Sequence, residues 1–202
     1  MHRAVIYARK NNRKGTNPKT GLPWRDGDEF VAQAKKFRDL LRKRGVKVEL
    51  FEHDTTTGPF PDMDLGYLFG PDLMAVFTHG FPTYVSGGVR RGSSKQNALA
   101  FHQAFQACSY ALFACSTGKL DDGFAYWLSR WCGRYVSAHQ SPGHTVRSPD
   151  DTLFYGGERR YSARKLPGGM KAWRRWLDEK PERHFLTWDP ELWFEYLDSC
   201  KK

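Results

Sequence analysis

A continuous apolar run, Leu73-Met74-Ala75-Val76-Phe77, ends in Thr78-His79-Gly80. Five apolar residues without alternation, stopped by polar residues and a glycine, read as a strand buried on both faces. Such a strand needs helices above and below its sheet, which points to an α/β architecture. A second run of the same kind, Tyr110-Ala111-Leu112-Phe113-Ala114, ends in Cys115-Ser116-Thr117-Gly118.

The intervening stretches supply the other layers. Ala4 to Ala8 is a short run of strand formers, and a basic loop punctuated by Gly and Pro follows from Arg9 to Arg25. Phe30, Ala34, Phe37, Leu40 and Leu41 recur at three- and four-residue steps, which predicts an amphipathic helix. Asp26 or Asp28 is placed to cap it, and Gly45 to stop it. Val46 to Phe51 alternates apolar and charged residues as a half-exposed strand does. Leu65 to Phe69 reads as a helical turn. Ser93 or Ser94 opens a helix carrying Ala98, Phe101 and Phe105. Asp121 or Asp122 opens another, with Phe124, Trp127, Leu128 and Trp131, closed by Gly133 ahead of a strand at Tyr135 to Ala138. The expected fold is a three-layer α-β-α sandwich with a mainly parallel sheet, occupying residues 1–140. Residues 141–202 are expected to form a loop region and a helical extension packed on the same domain, with a hairpin around Phe154 to Tyr161 and helices near Trp173 and Trp193.

Composition narrows the function classes. A chain of 202 residues with 40% hydrophobic content can bury one core of ordinary size. It has no apolar run of about 18 residues, the length a membrane helix needs, and its first residues lack a secretion signal, so the expected location is cytoplasmic. No two of the cysteines Cys108, Cys115, Cys132 and Cys200 form a C-x-x-C pair. Free thiols in a reducing compartment, with no metal and no cofactor, are the simplest account. The net charge of +10 suits an anionic partner such as nucleic acid, although charges decorating helix faces explain it more simply.

In open α/β sheets functional groups gather beyond the carboxyl ends of the strands. His79 and Cys115 both stand there, 36 positions apart (115 − 79), with one helix between them. A right-handed crossover of that kind sets the two strands side by side with both tips on one edge. An imidazole beside a thiol can hold or take its proton near neutral pH. The backbone N–H groups of Gly80 and Cys115 are the natural donors for a developing oxyanion. No third residue supporting His79 is identifiable from the sequence.

A strand ending in His-Gly, then a helix, then a strand ending in Ala-Cys resembles the caspase/legumain/gingipain group of cysteine peptidases, over residues 4–139. Cys115-Ser116-Thr117-Gly118 is closer to the legumain Cys-x-Ser-Gly than to the caspase Gln-Ala-Cys-x-Gly, because Phe113 stands where a caspase has Gln. The resemblance implies a caspase-like fold and cleavage of a protein or peptide substrate through a Cys115 thioester. It does not extend to caspase-type recognition of Asp. Ser116, His139, His144 and Asp150 are the expected substrate-binding residues. The alternatives are a non-catalytic caspase-like binding protein, a nucleic-acid-binding protein, and a hydrolase of small amides or thioesters.

Overall fold

The computed structural model describes residues 2–61, 70–139 and 151–162. Within them the chain forms β1 (Arg3–Arg9), α1 (Asp26–Lys43), β2 (Lys47–His53), β3 (Leu73–Phe77), β4 (Gly80–Phe81) and β5 (Tyr84–Val85). It continues through α2 (Ser94–Phe105), β6 (Ser109–Phe113), α3 (Phe124–Cys132), β7 (Tyr135–His139), β8 (Asp151–Tyr155) and β9 (Glu158–Ser162). The main sheet has the order β2-β1-β3-β6-β7-β8-β9. Its first five strands are parallel, and β8 and β9 extend it antiparallel. This is an α/β fold with a mainly parallel sheet.

The alternation of side chains along each strand creates two cores. On one face Ala4, Ile6, Ala75, Phe77 and Phe113 pack against Phe30, Ala34, Phe37 and Leu41 of α1. On the other, Val5, Tyr7, Val76, Leu112 and Val136 pack against Phe101 and Phe105 of α2 and Phe124 and Leu128 of α3. The first core is held by three rings: Phe77 stacks on Phe113 at 4.3 Å, and Phe37 meets Phe113 at 5.1 Å. Each such ring, fully buried, contributes about 1.5–3 kcal/mol.

Helix ends follow the sequence with two departures. Ser93 caps α2 in a full capping box with Gln96, and Gly133 ends α3 in the left-handed conformation. Neither acidic cap candidate of α3 is used, since Gly123 is its N-cap. Arg25 is the N-cap of α1 and makes no side-chain cap bond, so Asp26 is the first helical residue instead of the cap. The missing cap comes from elsewhere in the chain. The Asn12 side-chain oxygen accepts the Gly27 N–H at 2.8 Å, which satisfies one orphan donor of the first turn.

The order β2-β1-β3 makes the chain reverse direction across the sheet between β1 and β3. Their following helices therefore cover opposite faces, leaving a crevice at the carboxyl ends of those strands. The basic loop after β1 closes over that edge. Its bridge pairs Thr16 with Pro23, and the Arg13 N–H donates to Asp26 Oδ1 at 2.9 Å. The turn expected at Leu65 to Phe69 and the two C-terminal helices lie outside the described residues. No helix among the described residues is long and apolar enough to cross a membrane.

Candidate active site

Strand register brings the two tips together. Phe77 lies opposite Phe113 in the β3–β6 ladder, and two residues further along each strand come His79 and Cys115. Pairing continues past the strands, with the Thr78 N–H donating to the Phe113 carbonyl at 3.3 Å. Gly80 is wedged against the other tip. A Cβ there would sit 2.5 Å from the Cys115 carbonyl oxygen and 2.8 Å from the Ala114 Cβ. Only glycine permits that approach.

A tight turn holds Cys115 at the end of its strand. Ser116 has φ +57°, a left-handed conformation uncommon outside glycine. The Thr117 hydroxyl donates to the Ala114 carbonyl at 3.0 Å, and the Gly118 N–H to the His139 carbonyl at 2.8 Å. The strained residue is thus fixed on both sides. The backbone N–H groups of Gly80 and Cys115 are among the groups that favour the charged form of the Cys115 thiol.

His79 is buried and its ring meets Phe30 edge-on at 5.1 Å. Its Nε2 bonds to Asp26 Oδ2, an oxygen that also lies 3.1 Å from Arg13 Nε. Its Nδ1 lies 2.8 Å from Arg13 Nη2. A guanidinium has no lone pair to offer and a carboxylate no proton; Arg13 Nε also lies 3.0 Å from Nε2, and with that nitrogen protonated toward Asp26 the Arg13 Nε–H goes to the shared carboxylate oxygen. Nε2 carries the proton and gives it to Asp26, while Nδ1 accepts from Arg13. Asp26 therefore fixes the ring and leaves Nδ1 as its unprotonated nitrogen. At rest the Arg13 guanidinium lies against it. The Arg13 side chain is 45% exposed and packs its cation over Trp24 at 4.9 Å.

The charges follow from these contacts. Burial alone would raise the Asp26 carboxyl. The Arg13 N–H, the bond to His79 and the charges of His79 and Arg9 outweigh it and hold Asp26 below its ordinary range. The first turn of a helix favours a carboxylate in the same sense. Burial lowers His79 despite its bond to Asp26, with the Arg13 and Arg9 charges adding to the effect. Burial raises the Cys115 thiol, opposed by its own N–H, by Arg13 and by the Gly80 N–H. Each shift favours the uncharged form of its group, the imidazole of His79 and the thiol of Cys115.

The remaining expected residues are distributed differently. Ser116 forms the turn itself. His139 ends β7, is buried, and turns its ring toward Phe113 at 6.3 Å, so it belongs to the packing behind the Cys115 turn. His144 and Asp150 lie outside the described residues. Cys108, Cys115 and Cys132 are not joined in disulfides among the described residues. The Tyr110 hydroxyl bonds His102 Nδ1 at 2.8 Å, so that histidine is structural. Among the described residues no group of three His, Cys, Asp or Glu side chains could hold a metal ion.

Two residues of the candidate site escaped the sequence reading. Asp26 reads there as a helix cap and Arg13 as part of a basic loop. A carboxylate in the first turn of a helix that follows a parallel strand lies at the same sheet edge as the strand tips, and that signal was available for Asp26. No family model matches the chain, and no curated protein matches it.

Proposed function

We propose that the protein is a caspase-like cysteine hydrolase that cleaves peptide bonds through a Cys115 thioester. One observation carries the reading: strand register sets the Cys115 tip beside the His79 tip, and the His79 ring is held by the buried Asp26 carboxylate. The resemblance of residues 4–139 to the caspase/legumain/gingipain group supports it, as does the placement of the site on the carboxyl edge of a mainly parallel sheet.

The chemistry runs in two halves. Arg13 turns aside and frees Nδ1 of His79. The thiol proton passes to that nitrogen as the Cys115 sulfur bonds to the scissile carbonyl carbon. The oxygen becomes negative and takes hydrogen bonds from the Gly80 and Cys115 N–H groups. The C–N bond then breaks, and His79 gives its proton to the departing amine. Water next attacks the thioester, His79 takes the water's proton, and the C–S bond breaks to restore the thiol. Asp26 remains ionised throughout and steadies the imidazolium.

The test is covalent labelling with a peptidyl acyloxymethyl ketone. The wild type is expected to label at Cys115, His79→Ala slowly, and Cys115→Ala not at all. Equal labelling of wild type and Cys115→Ala would overturn the hydrolase reading.

A further inference from the structure

The hairpin that follows Gly80 presents its aromatic residues outward. β4 and β5 pair Gly80 with Val85 and Phe81 with Tyr84. Val85 is buried in the core beneath, so the Phe81/Tyr84 pair takes the outer face. The two rings stack at 4.4 Å and 13°. The Arg90 guanidinium lies over Tyr84 at 4.9 Å. Phe81 remains 43% exposed.

This ledge is rigid. Its base is tied by the Ser86 N–H to the His79 carbonyl at 2.8 Å. Its tip is tied twice: the Phe124 N–H donates to the Pro82 carbonyl at 2.9 Å, and the buried Asn97 amide donates to the Thr83 carbonyl at 3.0 Å. The turn after Cys115 meets it there. A Cβ on Gly123 would lie 2.9 Å from the Pro82 carbonyl oxygen and 3.0 Å from the Leu120 side chain, so hairpin tip and Leu120 flank one point. Leu120 is itself 38% exposed. Of the four large apolar side chains exposed among the described residues, two stand on the segments that leave the strand tips, Phe81 after His79 and Leu120 after Cys115.

We infer that Phe81, stacked on Tyr84, and Leu120 form a subsite for an apolar, preferably aromatic, side chain of a peptide substrate. Phe81 is two residues from His79, a reach of about 7 Å along an extended chain. An extended peptide advances about 3.3 Å per residue, so the side chain received lies within two residues of the scissile bond. A firmly anchored, exposed aromatic beside a nucleophile costs no reordering when a substrate ring covers it, and such pre-formed apolar surface is what binding sites are built from. The partner is a peptide because the ledge starts one residue after the oxyanion donor Gly80, where only a chain held at the scissile carbonyl would reach it. The inference rests on the hydrolase reading for its substrate.

Binding to the catalytically silent Cys115→Ala protein separates the two. Fluorescein-labelled hexapeptides carrying Phe, Leu or Gly at successive positions would be titrated by anisotropy, alongside turnover by the wild type. Peptides with Phe or Leu at one position are expected to bind at least tenfold more tightly than their Gly counterparts. Adding Phe81→Ala to Cys115→Ala should remove that preference. Phe51→Ala, which truncates a comparably exposed ring within β2, should leave it intact. Binding with that pattern but no turnover would sink the hydrolase reading and leave the subsite standing. Loss of no more than twofold on Phe81→Ala, equal loss for every peptide, or equal loss on Phe51→Ala would overturn the subsite, whatever turnover shows.

Discussion

Replacing Asp26 by Asn tests the site at its least obvious member. The carboxylate has two tasks that an amide cannot perform together. Oδ1 accepts the Arg13 N–H at 2.9 Å, and Oδ2 accepts from His79 Nε2 and Arg13 Nε. If the amide oxygen keeps the Arg13 N–H, its NH2 faces Arg13 Nε and the ring. Nε2 must then accept, the ring proton moves to Nδ1, and the atom meant for the thiol proton is already occupied. If the amide turns over, its NH2 meets the Arg13 N–H and the loop loses its anchor. Either way one charge-assisted bond disappears, a loss of about 2 kcal/mol, or roughly 4–8 °C in Tm for a chain of this size. Turnover should suffer more. Carboxylate-to-amide changes behind a catalytic imidazole lower kcat by as much as ~10⁴ in serine peptidases, and a fall of at least ~10² is expected here. The assay pairs kcat/KM for peptide cleavage with the pH-dependent rate of Cys115 alkylation by iodoacetamide, which needs no substrate recognition. If Asp26→Asn keeps both rates within threefold of the wild type, the tautomer argument is wrong.

Gly80→Ala should be destabilised by about 2 kcal/mol or more, because the new methyl would lie 2.5 Å from the Cys115 carbonyl and 2.7 Å from the Ala114 carbonyl carbon; a denaturant midpoint equal to that of the wild type would contradict the wedge. Arg13→Gln removes a charge that lowers the His79 pKa. The acid limb of the kcat/KM profile should therefore move to higher pH, and an unmoved or lowered limb would show that the guanidinium does not face the ring. Stability should have a plateau bounded on both sides. His79 and Asp26 are lowered on folding, so the unfolded chain binds more protons and stability falls with acid, first below pH ~6.5 and again below pH ~4. Cys115 is raised and burial pushes Cys132 up to about 11, so the unfolded chain loses protons first and stability declines above pH ~8.5. Thermal melts from pH ~2 to ~11 check both edges, and His79→Ala should shrink the first acid step, to which His102, also lowered by burial, contributes the rest.

The parts of the site that were legible in the sequence are those set by strand ends. His79, Gly80 and Cys115 follow buried runs whose length and lack of alternation fix where each strand stops, and one intervening helix fixes which strands are neighbours. The β4–β5 hairpin was not legible, because two-residue strands carry no period and Pro82 reads only as a turn. Asp26 is 53 positions before His79 (79 − 26) and shares no motif with it. Its place depends on which residue opens α1, and an acidic residue at a helix start satisfies capping chemistry equally well. Asn12 supplying that cap from across the loop is a tertiary effect that no local pattern predicts.

The location of Asp26 also explains why a buried carboxylate is tolerated at the crevice. A carboxylate removed from water must recover several kcal/mol through its neighbours. Here the first turn of α1 presents the positive end of the helix dipole, and the loop from β1 adds the Arg13 N–H and the Arg9 and Arg13 guanidinium groups. Those compensations come from the helix that must follow β1 and from the reversal of strand order beside it. The same reversal opens the crevice into which His79 projects. The basic loop is then a structural requirement of the buried acid as well as a lid on the site. Shortening it to remove Asn12 and Arg13 together should raise the Asp26 pKa, whereas an unchanged value, read by carboxyl NMR titration, would mean that α1 alone holds the charge.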